Sequence, residues 1–315
     1  MDRRTFVSMT AGGWLATFAA ARAQDARRVL RIGVLTVGAV ETTAMPPPFL
    51  DAMREYGWIE GQNLRFERRI AANAGELPAQ AAELAVLKVD MVIAFGTPAA
   101  MAMKQASGTV PVIFSVGFDP VGSGLVTSLA RPGGNLTGFH GGLFEGKMLE
   151  LLKEALPRAS LFVHPDAAPD PGIARVASTL GIRLRAIAVA NASQLDGFFR
   201  ELRGAKADGV VIPPLTWLRP PSLARIAEEF LTTRMPAVCA FNGFAEAGGL
   251  MSFGPRARPA RMALYANRIA NGANPGDMPV DLPTQFDLTV NLRTAAAFGL
   301  AIPKVVLLRA NEVIR

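Results

Sequence analysis

The sequence is poor in the side chains on which most reactive sites are built. Its 315 residues include one cysteine, Cys239, and two histidines, His140 and His164. A single thiol excludes an internal disulfide and a thiolate cluster. Cys239 lies in the apolar run Ala237-Val238-Cys239-Ala240-Phe241, where a small buried core residue is its ordinary role. Neither histidine has a second His or a Cys at metal-ligand spacing, so no metal site is expected. The turn after the first long apolar run reads Thr36-Val37-Gly38-Ala39-Val40-Glu41, which lacks the G-x-G-x-x-G of a dinucleotide fold. Walker A and G-x-S-x-G sequences are missing too. These absences point away from an enzyme and from a bound cofactor. Charge is sparse at 19% of residues, and the excess of Arg and Lys that gives +7 is scattered. No stretch forms a nucleic-acid-binding stripe, so nucleic acid is not an expected partner.

Long apolar runs are also missing, except near the start. Asp2-Arg3-Arg4-Thr5-Phe6 precedes an apolar stretch from Val7 to Ala21, which ends in Ala21-Arg22-Ala23. A basic start, a short apolar core and a small-residue cut site make a secretory signal, with cleavage expected before Gln24 and a periplasmic destination. The paired arginines suit the twin-arginine route, although the usual following Lys is missing and Sec export stays open. Losing three arginines and one aspartate takes the formal charge from +7 to +5. No other run of about 18 apolar residues exists, so the mature chain has no membrane span.

What the chain does have is alternation. Val29 to Val37, Val89 to Phe95 and Val110 to Val116 are nearly continuous apolar runs, as buried parallel strands are. Between them Phe49–Tyr56, Leu77–Leu87 and Ala99–Ala106 carry helical patterns, and Gly122–Ala130 is read as a further short helix. After Leu136–Phe139 the series restarts with helix Glu145–Ala155 and alternates on to strand Ala237–Phe241. Two βαβ series in one chain of this length predict an α/β protein of two Rossmann-like lobes with parallel sheets. The expected division gives residues 28–138 and about 250–285 to lobe 1 and residues 139–249 to lobe 2. Residues 286–315 are read as a C-terminal crossover segment packing on the lobes. Ligands of open α/β sheets sit beyond the carboxyl ends of the strands, so the cleft between lobes is the natural site.

Several stretches resemble one family. They are Tyr56-Gly57-Trp58-Ile59-Glu60-Gly61-Gln62-Asn63-Leu64, Gly96-Thr97-Pro98-Ala99-Ala100, and Phe118-Asp119-Pro120-Val121-Gly122-Ser123-Gly124-Leu125-Val126. Ser128 to Gly138, Ala247-Gly248-Gly249-Leu250-Met251-Ser252-Phe253-Gly254-Pro255 and Pro279 to Leu292 continue the set. Together they resemble the ABC-transporter substrate-binding proteins of the type I periplasmic-binding fold, whose better-known members take aromatic amino acids. The resemblance spans the mature chain and is weakest over Ser160–Trp217. It implies capture of a small solute by lobe closure, with an ABC permease and its ATPase as partners. A periplasmic sensor serving a membrane receptor is the alternative.

The candidate contacts are strand-end residues. Thr97 and Pro98 start a helix, where free N–H groups and the Thr97 hydroxyl can hold a carboxylate, or where Thr-Pro is a plain cap. Ser115 and Asp119 follow the fourth strand; Asp119 either accepts from a ligand amine or caps the next turn. Gly38 allows close backbone approach or simply turns the chain. Trp217 stacks on a ligand or packs between lobes. Phe241 and Asn242 offer an apolar wall and an amide. Thr137, Gly138 and Gly254 are the hinge candidates. An amino acid or related small carboxylate is the expected solute.

Overall fold

The computed structural model describes residues 28–38, 45–117, 119–142, 144–166, 171–215, 217–218 and 220–315. The export signal and its cleavage site lie outside the described residues. The first lobe runs β1 (Leu30–Val37), α1 (Pro47–Glu55), β2 (Leu64–Ala71), α2 (Leu77–Val86), β3 (Met91–Phe95), α3 (Thr97–Ala106), β4 (Val112–Val116) and β5 (Leu136–His140). Its five strands are parallel in the order β2-β1-β3-β4-β5. The order reverses between β1 and β3, which leaves a crevice at the carboxyl ends of the strands.

Alternation along each strand splits the core into two faces. Met91 and Ile93 of β3 join Phe49 and Met53 of α1 on one side. Val92 and Ala94 join Leu77, Leu84 and Met103 from α2 and α3 on the other. Buried on both faces, β3 is apolar at every position, which is why Met91–Phe95 reads as an unbroken run.

The second lobe holds α4 (Glu145–Ala155), β6 (Leu161–His164), α5 (Pro171–Thr179), β7 (Arg183–Ala186), α6 (Leu195–Ala205), β8 (Gly209–Ile212), α7 (Pro220–Thr233), β9 (Ala237–Cys239), α8 (Gly243–Glu246) and β10 (Met251–Pro255). The chain then returns to the first lobe for α9 (Pro259–Ala270). It crosses again for β11 (Phe286–Asn291), α10 (Leu292–Phe298), α11 (Lys304–Leu307) and β12 (Glu312–Ile314). The second sheet has the order β12-β11-β10-β9-β8-β6-β7, with β10 and β11 antiparallel.

Two parts of the expected division are redrawn. Met251–Pro255 belongs to the second sheet, between β9 and β11, and only the stretch from α9 to about Asp281 packs on the first lobe. Residues 286–315 supply two strands of the second sheet. A short apolar strand does not display its partner, so its sheet cannot be read from the chain alone. The expected helix over Gly122–Ala130 is a series of turns. There the Thr127 and Ser128 hydroxyls donate to the Pro132 and Arg131 carbonyls, giving the backbone an alternative to helix.

Candidate functional site

Three chain crossings join the lobes, after β5, after β10 and between Asp281 and β11. The carboxyl ends of the strands of both sheets face one another across them, and two adjoining chambers open between. The outer chamber, of about 450 Å³, is bounded by Thr97, Pro98 and Met101 on one side and by Pro165, Asp166, Ala188–Ala190 and Trp217 on the other. The hinge-side chamber, of about 570 Å³, is bounded by Phe49, Phe95, Ser115, Phe139 and His140 from the first lobe. From the second lobe and the crossings come Phe144, Phe241, Asn242, Arg256 and Arg258, with Met262 from α9. Gly96, Gly117, Pro214 and Leu215 line both. A Cβ on Gly117 would stand 3.0 Å from Cγ of Pro214, so the lobes touch at this neck.

Thr97 sits at the first turn of α3, where helix geometry leaves N–H groups without intrahelical partners. Its buried hydroxyl has no hydrogen-bond partner. Ser115, Phe241 and Asn242 are half-buried on the hinge-side chamber. Trp217 does both things its position allows: its indole N–H donates to the Val189 carbonyl at 3.0 Å, and it lines the outer chamber. Gly38 ends β1, donating to the Ala71 carbonyl at 3.0 Å, and lines neither chamber. Asp119 is exposed and also lines neither; its carboxylate accepts the Val121 N–H at 2.9 Å, the turn-capping role.

The hinge candidates lie inside paired strands just ahead of the crossings. Thr137 is fully buried and its hydroxyl donates to the Met278 carbonyl at 2.7 Å. A Cβ at Gly138 would come within 2.1 Å of the Phe114 carbonyl oxygen, and one at Gly254 within 2.3 Å of the Ala240 carbonyl oxygen. Both glycines are thus required by close strand packing.

Sequence reasoning passed over His140, Arg256 and Arg258. His140 ends β5, a strand-end signal of the kind used for the other candidates. Burial pushes its pKa down, while the Asp119 charge and the Val116 carbonyl oppose the shift in part. Its Nδ1 is buried without a partner. Arg258 precedes Pro259 at the start of α9, a recognisable strand-to-helix turn, but nothing local reveals that this turn borders the cleft. Behind the cleft, His164 Nε2 and Glu145 Oε2 meet at 3.1 Å, pinning the end of β6 to the start of α4. Cys239 is fully buried, and burial pushes its thiol up to about 12. Among the described residues no group of three or more His, Cys, Asp or Glu can hold a metal ion.

Residues 43–314 match the family model described as ABC transporter substrate binding protein. The chain belongs to that family. This substrate-binding protein is 25% identical over 271 residues to the tyrosine-binding protein of Clostridioides difficile (strain R20291), covering 80% of this chain and 75% of that one. Among solved structures it is similar to a conserved domain protein from Vibrio cholerae, at 25% identity and TM-score 0.76 over 91% of this chain and all of that one. It is also similar to a Streptococcus ABC domain in complex with L-Trp, at 22% identity and TM-score 0.78 over the same shares. The last likeness concerns the fold. Among the described residues of the substrate-binding protein, no helix is long and apolar enough to cross a membrane.

Proposed function

We propose that the protein captures a small organic solute between its lobes and delivers it to a membrane permease, as the extracytoplasmic component of an ABC importer, without catalysing a reaction. The observation that carries this reading is that both chambers are completed only by residues of both lobes. A solute held there gains its full set of contacts only when the lobes are together, so it favours the closed state. The short crossings after β5, after β10 and ahead of β11 absorb the motion, and the strands carrying Thr137, Gly138 and Gly254 move as rigid parts.

Thr97 and Pro98 at the start of α3, with Ser115, Phe241, Asn242 and Trp217, are the proposed contacts. An amino acid or related small carboxylate is the proposed solute. Its support is the helix start at Thr97, the largely apolar lining, and the tyrosine-binding name of the Clostridioides relative. The export signal supports a periplasmic location, and the family supports a permease and its ATPase as partners.

A thermal-shift panel of amino acids, aromatic acids, sugars and nucleosides tests this. A solute at a hundredfold its Kd adds about 2.7 kcal/mol and raises the melting midpoint visibly. A shift confined to carboxylate-bearing members is expected. A folded protein that shifts with no class overturns solute capture in this cleft.

A further inference from the structure

We infer that Arg258 is the anion-binding residue of the hinge-side chamber, where its guanidinium pairs with a carboxylate of the solute. The inference rests on solute capture in the cleft and assigns the charge-recognising group of the hinge-side chamber. Two guanidinium groups line this chamber. Arg256 is fully engaged: Nε and Nη2 donate to Asp287, and Nη1 donates to Oε1 of Gln285 at 3.1 Å. Arg258 makes one contact, Nη1 to Oδ2 of Asp281 at 3.0 Å. Among the described residues its Nε and Nη2 donors have no partner. A guanidinium presents five N–H groups in a fixed fork that matches a carboxylate. The Arg258 side chain is 27% exposed, so its guanidinium is partly withdrawn from water.

The charge count agrees. Asp281 serves both Arg258 and Arg261, which leaves two cations against one anion. No described residue lining the chamber is acidic, so among the described residues nothing there balances the excess. A solute carboxylate would do so, in surroundings where the attraction is stronger than in water. Much of the remaining wall is Phe95, Phe139, Phe144, Phe241 and Met262, which accept an apolar body, with Ser115, His140 and Asn242 as polar groups beside them. The volume, about 570 Å³, lies in the range of small-molecule sites.

Calorimetric titration with 3-phenylpropanoate and its neutral analogue 3-phenylpropanamide tests the assignment. The wild type is expected to prefer the acid. In Arg258→Met the acid should weaken by roughly ten- to a hundredfold, as loss of a charged hydrogen-bonded pair does, while the amide is unchanged. Arg261 still pairs Asp281 in that variant, so the fold is kept. Arg261→Met disturbs the same carboxylate without touching the chamber wall and should retain the preference. Acid and amide binding alike to the wild type, or a preference that survives in Arg258→Met, overturns the role of Arg258 while leaving solute capture standing. Loss of the preference in both arginine variants assigns the effect to the Asp281 cluster and also overturns it. If the wild type binds neither probe, nor any amino acid, sugar or nucleoside, solute capture itself fails and this inference with it.

Discussion

Burial holds the His140 imidazole below its ordinary pKa, and the neighbouring Asp119 carboxylate and Val116 carbonyl reverse only part of that. The folded value is therefore lower than the unfolded one, near 6.5. As pH falls through about 6.5 the unfolded chain takes up this proton first, and the folded state loses stability until its own imidazole titrates. Above that range the neutral ring costs nothing. We expect melting temperature to fall between pH 7 and pH 5, and His140→Gln to fall less over the same interval. Parallel pH profiles of thermal melts check this; identical slopes would remove His140 as the cause. The same residue marks what single positions in the sequence disclose. Thr97 and Phe241 are readable as cleft residues because strand ends face the cleft in any such fold. Asp119 reads equally as a ligand contact or a turn cap, and the Val121 N–H two positions on makes it the cap.

Elements are held to each other by contacts that periodicity does not display. Asp208 lies just before β8, and its carboxylate accepts the N–H groups of Ser160 at 2.7 Å and Leu161 at 2.9 Å at the start of β6. The Ser160 N–H, more than any other group, holds the Asp208 pKa down. The neighbouring strands β6 and β8 are thereby fixed at their amino ends. The stabilisation is present above the unfolded carboxylate value, near 3.9, and is lost as pH falls through the lower folded value. Asp208→Ala should cost about 1 kcal/mol at pH 7, a charged hydrogen bond discounted for exposure to water. The difference from wild type should shrink below about pH 4. Urea denaturation at pH 7 and pH 3.5 checks both statements, and a constant difference would contradict them. The doubly wound lobes are legible because a strand buried on both faces must read as an apolar run, as Val89–Phe95 does. Met251–Pro255 is a strand too, but its place beside β11 depends on a segment more than thirty residues later.

For the molecule as a whole, Asp281 ties the three crossings together. Its N–H donates to the Gly138 carbonyl at 2.8 Å, and its carbonyl accepts the His140 N–H at 3.1 Å, at the first crossing. Its carboxylate holds Arg258 at 3.0 Å and Arg261 at 2.9 Å, at the second crossing and on α9. Asp281 itself opens the third, and only 11% of its side chain is exposed. Nothing in the sequence links Asp281 to Arg258 or His140; the link exists only once the stretch from α9 to Asp281 has packed on the first lobe. Asp281→Ala preserves the backbone bonds and leaves two guanidinium groups without their anion. The expected cost is about 2 kcal/mol, from charged hydrogen bonds lost at a poorly hydrated site. A chain of this size should lose about 2–4 °C in Tm for each kcal/mol. Because the tie lies where the lobes pivot, the variant should also show a larger radius of gyration in the absence of solute. Calorimetric melting with small-angle scattering separates two cases. A lower Tm with an unchanged radius would make Asp281 a local brace of the first lobe. A lower Tm with an expanded radius would make it the residue that sets how far the lobes open.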